Sequence, residues 1–165
     1  MALLLEPYDK EPPDKAKTAA GECGAWPVHK GIAIVFCSMA IASLVPVVLV
    51  QLHVIDDLPD PPGRIFESKK IVMSKTAHPL GIPDGILGLG SYGITLALLI
   101  AANPSRRLTR GALRAKLLLD GTMAARKARG QMKQFGRLCS WCLGTAIATA
   151  GMVYFARQAA KVRRA

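Results

Sequence analysis

Long stretches without charge alternate with segments dense in it. Residues 31–55, 85–105 and 138–156 contain no Asp, Glu, Lys or Arg, over 25, 21 and 19 residues. A bilayer core needs about 20 apolar residues per helix, so each stretch reads as a membrane span. As core helices of a soluble protein, three such runs in a short chain would leave little surface to face water. Pro46 lies inside the first run, where membrane helices tolerate a kink. Between the first two runs, residues 56–83 read as a loop. It opens Asp56-Asp-Leu-Pro-Asp-Pro-Pro-Gly-Arg64, too rich in turn formers for regular helix. It closes at Pro79-Leu-Gly-Ile-Pro83, and Asp84 is placed to N-cap the second span.

The segment 112–135 has a different pattern. Leu113, Leu117, Gly121, Ala124, Ala128, Met132 and Phe135 recur at steps of three and four, a narrow apolar stripe on one helical face. Arg126, Lys127, Arg129 and Lys133 lie roughly opposite. Placing four such cations at mid-bilayer would cost on the order of 10 kcal/mol, less what snorkelling recovers. The segment therefore reads either as an interfacial helix or as a weak span held by its neighbours. The basic stretch 106–116 should be cytoplasmic, which puts the loop 56–83 outside. If 112–135 crosses, residues 138–142 lie outside beside that loop and the basic C-terminus lies inside. Crossing is the expectation, because the alternative exports Arg157, Lys161, Arg163 and Arg164.

Net charge is +11, which taken alone would suggest nucleic acid. Its distribution, flanking the spans, fits topology signals and anionic lipid instead, and nucleic acid is not expected as a partner. Residues 1–30, with Pro, Lys, Asp and Glu concentrated near Lys10-Glu-Pro-Pro-Asp-Lys, read as a disordered tail. No cleavable leader is visible there, and the first span is expected to act as an uncleaved anchor. Residues 157–165 read as a basic tail. Gly88-Leu-Gly90-Ser-Tyr-Gly93 matches a dinucleotide-binding pattern literally, but it lies inside an uncharged span with no acid about 20 residues on. These glycines read as close helix packing.

Of Cys23, Cys37, Cys139 and Cys142, only the last two are paired by spacing. Cys-x-x-Cys at a helix start puts two sulfurs on adjacent turns, where the helix N-terminus favours the thiolate. The run Gly136-Arg-Leu-Cys139 places Cys139 in the first turn and Cys142 one turn in, with Arg137 adding positive charge. Structural zinc would need a second ligand pair, and His29, His53 and His78 are isolated. A c-type haem would need His at 143, which is Leu. A chance pair of buried thiols is the remaining alternative.

The order of these features resembles the vitamin K epoxide reductase family in its bacterial form, over roughly residues 31–155. Val72-Met-Ser74-Lys, Leu80-Gly-Ile-Pro83 and Leu87-Gly-Leu-Gly-Ser-Tyr92 resemble the family's loop end and second span. Leu138-Cys139-Ser-Trp-Cys142-Leu143 resembles the active-site start of its fourth helix. The resemblance implies an all-α transmembrane four-helix bundle: three clear spans plus the basic amphipathic third helix, within residues 31–156. It implies a multi-pass protein of the bacterial inner (plasma) membrane. It further implies a catalytic pair, Cys139 and Cys142, with Cys142 facing a quinone of ubiquinone or menaquinone type. Cys139 would exchange with a thioredoxin-like redox partner. Ser74 and Tyr92 match positions that bear on the quinone, although a turn residue and a packed aromatic explain them as well.

The chain also departs from the family pattern. Members that pass electrons through the outer loop carry two cysteines there. Residues 56–83 have none, and Lys69 stands near the expected position of one. Ala146 replaces a Tyr often found four residues after the second cysteine. Any exchange must then be direct, with Cys37 a buried thiol and Cys23 a tail thiol. The alternative is a non-enzymatic, degenerate member that keeps the bundle for structural or interaction purposes. A further reading makes the basic helix a site for anionic lipid.

Overall fold

A computed structural model describes residues 13–62, 65–102 and 107–161, with side chains from Pro27 onward except those of Leu80, Arg107, Ala160 and Lys161. Five α-helices follow in order: α1 (Pro13–Gln51), α2 (Ser68–Val72), α3 (Asp84–Ala101), α4 (Arg107–Phe135) and α5 (Ser140–Lys161). Two 3-10 turns, Lys75–Ala77 and Pro79–Gly81, sit between α2 and α3. No strand occurs among the described residues, so the all-α expectation holds.

The helix boundaries exceed the uncharged runs. α1 starts at Pro13, through residues where an irregular tail was expected. α4 starts at Arg107 rather than Ala112, and α5 continues to Lys161. Charge marks where a helix leaves an apolar environment, and the backbone hydrogen bonding need not stop there. Residues 1–12 and 162–165, with Arg163 and Arg164, lie outside the described residues, as do Arg106 and the Cys23 side chain.

Four long helices form the bundle. α1 packs most extensively on α5 and then on α3, while α4 lies against α3 and α5. Ala33, Cys37, Ala40 and Leu44 recur at steps of four, three and four, forming the buried face of α1. They meet Tyr92 and Leu99 of α3 and Ala148 and Met152 of α5. Small residues allow the close approach. A Cβ on Gly151 would lie 2.6 Å from the Phe36 ring, and one on Gly85 2.6 Å from Gln51 Oε1. Of the three decoy glycines, only Gly88 packs, against Leu44; Gly90 and Gly93 face open space. The i+3/i+4 face of α3 that meets α1 runs through Gly85, Gly88 and Tyr92, leaving the other two glycines off it.

Three clear spans were expected, but two helices are long and apolar enough to cross a membrane: residues Pro27–Gln51 of α1 and Asp84–Ala101, the whole of α3. α5 lacks charge over 140–156 yet carries Thr145 and Thr149, both buried, and the contact glycines Gly144 and Gly151. It has exchanged hydropathy for close packing on α1.

The direction of α4 follows from its neighbours. Lys30 Nζ donates to the carbonyls of Ile100 and Ala102, both at 3.0 Å, so the α3 C-terminus lies at the far end of the bundle from the loop. α4 then runs back for about 43 Å at 1.5 Å per residue and delivers Leu138 to the loop. There Leu138 and Phe66 form a parallel bridge. The cysteine pair therefore shares its end of the bundle with residues 56–83, the arrangement expected if the basic helix runs the length of the bundle. Its charges are partly neutralised. Lys116 pairs with buried Asp120, and Lys127 Nζ lies 2.8 Å from Asp84 Oδ2. Arg126, Arg129 and Lys133 are exposed.

Candidate redox site at the start of α5

Cys139 is the residue before α5, one position outside the first turn predicted for it. Its carbonyl already accepts the Leu143 N–H at 2.9 Å, so it acts as the N-cap. Its sulfur receives the Cys142 backbone N–H at 3.2 Å. Hydrogen bonding from the Cys142 thiol is the largest influence and outweighs burial. With the Ser68 hydroxyl and the helix N–H groups, it lowers the Cys139 pKa from 9.0 to about 7. Both cysteines are free thiols. Cys139 is fully buried, whereas Cys142 is only partly covered.

A strap from the loop covers Cys139. Glu67 N–H donates to Leu138 O at 3.2 Å, and Leu138 N–H to Ile65 O at 2.9 Å. Trp141 Nε1 donates to Pro59 O at 3.2 Å, and Arg137 pairs with Glu67 at 2.7 Å. At its centre the Asp60 carboxylate accepts from the hydroxyls of Ser68 and Ser140 and from the Ser68 N–H at 2.8 Å. Burial would raise the Asp60 pKa, but these three donors together hold it below 3.8. Ser68 Oγ also accepts the Ser140 N–H at 3.0 Å, satisfying an orphan donor of α5. Leu58, Ile71 and Val72 of the loop close over Cys139 with Val47 and Val50 of α1.

Gln51 anchors the far side of the loop. Buried at the end of α1, it donates to Val72 O, Ala77 O and Asp84 Oδ1, and accepts the Gly85 N–H at 3.1 Å. Asp84 was expected to N-cap α3. It is instead the first helical residue, with no side-chain cap bond, because Gln51 and Lys127 take its two oxygens.

Cys142 opens on a cavity of about 100 Å³ between α1, α3, α4 and α5, room for several waters on that scale. Leu44, Val47, Met123, Ala128, Leu143 and Ala146 give it apolar walls. Cys142 and Gln131 lie at one end, and Ser91 and Asp120 line it deeper in the bundle. Tyr92 shares this cavity with Cys142, but its hydroxyl is engaged with Thr149 Oγ1 at 2.6 Å. Ser74 does not line it. Ser74 Oγ donates to Ile71 O at 2.7 Å, closing α2, and the residue faces a separate depression beside Arg126 and Gln134. Cys37 is buried, with its thiol directed at Tyr92 O, away from the pair. Among the described residues no cluster of His, Cys, Asp and Glu could hold a metal.

Asp60, Ser68, Gln51 and Gln131 escaped the sequence reading. Gln51 left a signal, as the one amide in the first uncharged run. Asp60 and Ser68 left none, because their role depends on a loop folding back onto a helix start 72 residues or more away.

No curated protein and no solved structure matches the chain. The family model described as the vitamin K epoxide reductase family matches residues 31–156, well over half of the chain. Those limits take in the strap, the cysteine pair and most of the bundle, omitting the first 18 residues of α1 and the last five of α5. Members of that family are membrane oxidoreductases that work with quinones and redox partners. With Cys-x-x-Cys at the loop-covered start of α5 and an apolar cavity beneath its second sulfur, this chain belongs to the vitamin K epoxide reductase family.

Proposed function

We propose that the protein is a multi-pass thiol–disulfide oxidoreductase of a bacterial inner membrane, passing electrons from protein thiols to a quinone through Cys139 and Cys142. The observation that carries this reading is the asymmetry of the pair. Cys139 has thiolate character and lies under the loop, while Cys142 faces the cavity. The cavity's residues fit a quinone of ubiquinone or menaquinone type: Leu44, Val47, Met123, Leu143 and Ala146 line it, and Gly88 and Ala146 add little bulk. Ser91, Gln131 and Thr145 are uncharged hydrogen-bonding side chains in its lining. Leu44, Val47, Met123, Leu143 and Ala146 would hold the ring, which supplies a two-electron acceptor when bound.

The chain's own residues then divide the work. Cys139 is the sulfur of the oxidised pair that a thiolate of a thioredoxin-like partner attacks, forming a mixed disulfide and expelling Cys142 as thiolate. The partner's second thiolate then resolves the mixed disulfide on Cys139, so that the partner leaves oxidised and both cysteines are left reduced. Tyr92, through Thr149, fixes the cavity wall between α3 and α5. Ser74 supports the loop rather than the cavity. Because Cys139 is fully buried, direct exchange requires the strap around Asp60 and Trp141 to lift. Lys69 stands near the expected relay position and residues 56–83 hold no cysteine, so no loop thiol mediates the transfer.

The test is quinone reduction in proteoliposomes driven by a reduced thioredoxin-like protein. Cys139→Ala and Cys142→Ala should each abolish it. Unchanged turnover in both variants rules the function out.

A further inference from the structure

Gln131 stands on α4, four residues before its end, and has no part in the family resemblance. Its Oε1 accepts the Cys139 backbone N–H at 3.3 Å. This engages one lone pair of the oxygen, and the two N–H donors of the same amide take no part in that bond. The side chain lines the cavity together with Cys142 and interacts with the Cys142 thiol. No cation fills that role. Lys127 is engaged by Asp84, and Arg137 is drawn to Glu67 on the strap side.

We infer that Gln131 is a positioning residue for the step that interconverts the Cys139–Cys142 disulfide and a mixed disulfide on Cys139, donating through its amide to the Cys142 sulfur as it leaves in partner oxidation and as it attacks in the reverse closure. The inference rests on the proposed thiol–disulfide function and adds a residue to it. Run in reverse from the reduced pair, the direction a small disulfide probe follows, the steps balance without an external reductant. Cys139 thiolate attacks a disulfide, forming a mixed disulfide and expelling one thiolate. Cys142 then gives up its proton to solvent or to the departing sulfur. Its sulfur bonds to Cys139, and the second thiolate leaves. During that second step negative charge sits on Cys142 inside an apolar cavity, where a thiolate without donors is disfavoured. The Gln131 amide supplies a donor there. Through Oε1 it also holds the Cys139 backbone at a fixed distance from α4.

Dithiodipyridine, a small neutral disulfide, separates the two steps by the release of coloured thiopyridone. The protein would be the full chain in detergent, reduced, in a Cys23→Ser, Cys37→Ser background. The parent should release thiopyridone in two phases, capture at Cys139 and closure by Cys142. Gln131→Glu keeps the acceptor for the Cys139 N–H and removes the donor. It should slow the second phase at least tenfold and change the first less than threefold. Gln131→Met, which retains length without charge, should slow the second phase similarly. A merely structural role would alter capture and closure together, or neither. An unchanged second phase in both variants overturns the inference. A parent showing one phase alone, with no disulfide formed, overturns the redox reading itself.

Discussion

The lowered Cys139 pKa gives a prediction with a worked magnitude. At pH 7 a thiol of pKa 9.0 is about one-hundredth ionised, whereas one at about 7 is half ionised. That is an advantage of roughly fiftyfold in thiolate. Intrinsic nucleophilicity falls with pKa, with a Brønsted slope near 0.4–0.5. Over two pH units this takes back about eightfold, leaving a net gain of about sixfold. The sign follows: the thiolate, and with it reactivity, disappears as pH falls through 7. The perturbation is Cys142→Ala, which removes the strongest donor to Cys139 but keeps the backbone N–H at 142. Cys142→Ser should retain part of the effect, because a hydroxyl can also donate. The assay is iodoacetamide labelling of Cys139 across pH 5 to 10, read peptide by peptide in a mass spectrometer. Normalising each variant to its own plateau removes differences in accessibility. The midpoint should lie near 7 in the parent, rise by a unit or more in Cys142→Ala, and fall between them in Cys142→Ser. A parent midpoint near 9, or one indifferent to Cys142→Ala, would refute the reasoning.

Two further predictions concern the bundle. Gly85→Ala places a methyl 2.6 Å from Gln51 Oε1 and 2.7 Å from Val48, so it should destabilise the protein by about 1–3 kcal/mol. Gly90→Ala meets nothing within 4 Å and should be neutral or stabilising by up to about 1 kcal/mol; thermal unfolding in detergent compares the two, and equal effects would contradict the packing described. Asp120→Ala strands Lys116 beside Ser91 in a largely buried position, a loss of about 3–5 kcal/mol. Adding Lys116→Met should recover most of it, and a double variant no more stable than the single one would count against a paired buried charge.

Part of the fold could be read directly. The uncharged runs located α1, α3 and α5, and the three-and-four spacing of Leu113, Leu117 and Gly121 located α4. Burial in an apolar phase excludes charge from a helix, and this exclusion is written residue by residue. Helix ends were less legible, since α1 reaches Pro13 and α5 reaches Lys161 through charged positions. The charges of α4 looked prohibitive because partners from other helices, such as Asp84 for Lys127, cannot be counted along one strand of sequence.

The cysteine pair is local in the same sense. Two thiols three residues apart at a helix start are recognisable by spacing, so the sequence alone located the candidate pair and implied a helical membrane bundle around it. Tertiary structure alone decided the rest. It set Cys139 under the strap and Cys142 on the cavity. It also turned Asp60, Ser68, Gln51 and Gln131 from unremarked polar residues into the groups that hold the site. It placed Ser74 away from the cavity and bound the Tyr92 hydroxyl to Thr149. The physical reason is that a hydrogen bond or an ion pair depends on distances of about 3 Å. Such distances between Asp60 and Ser140, or between Gln131 and the Cys139 backbone, exist only after the helices have packed.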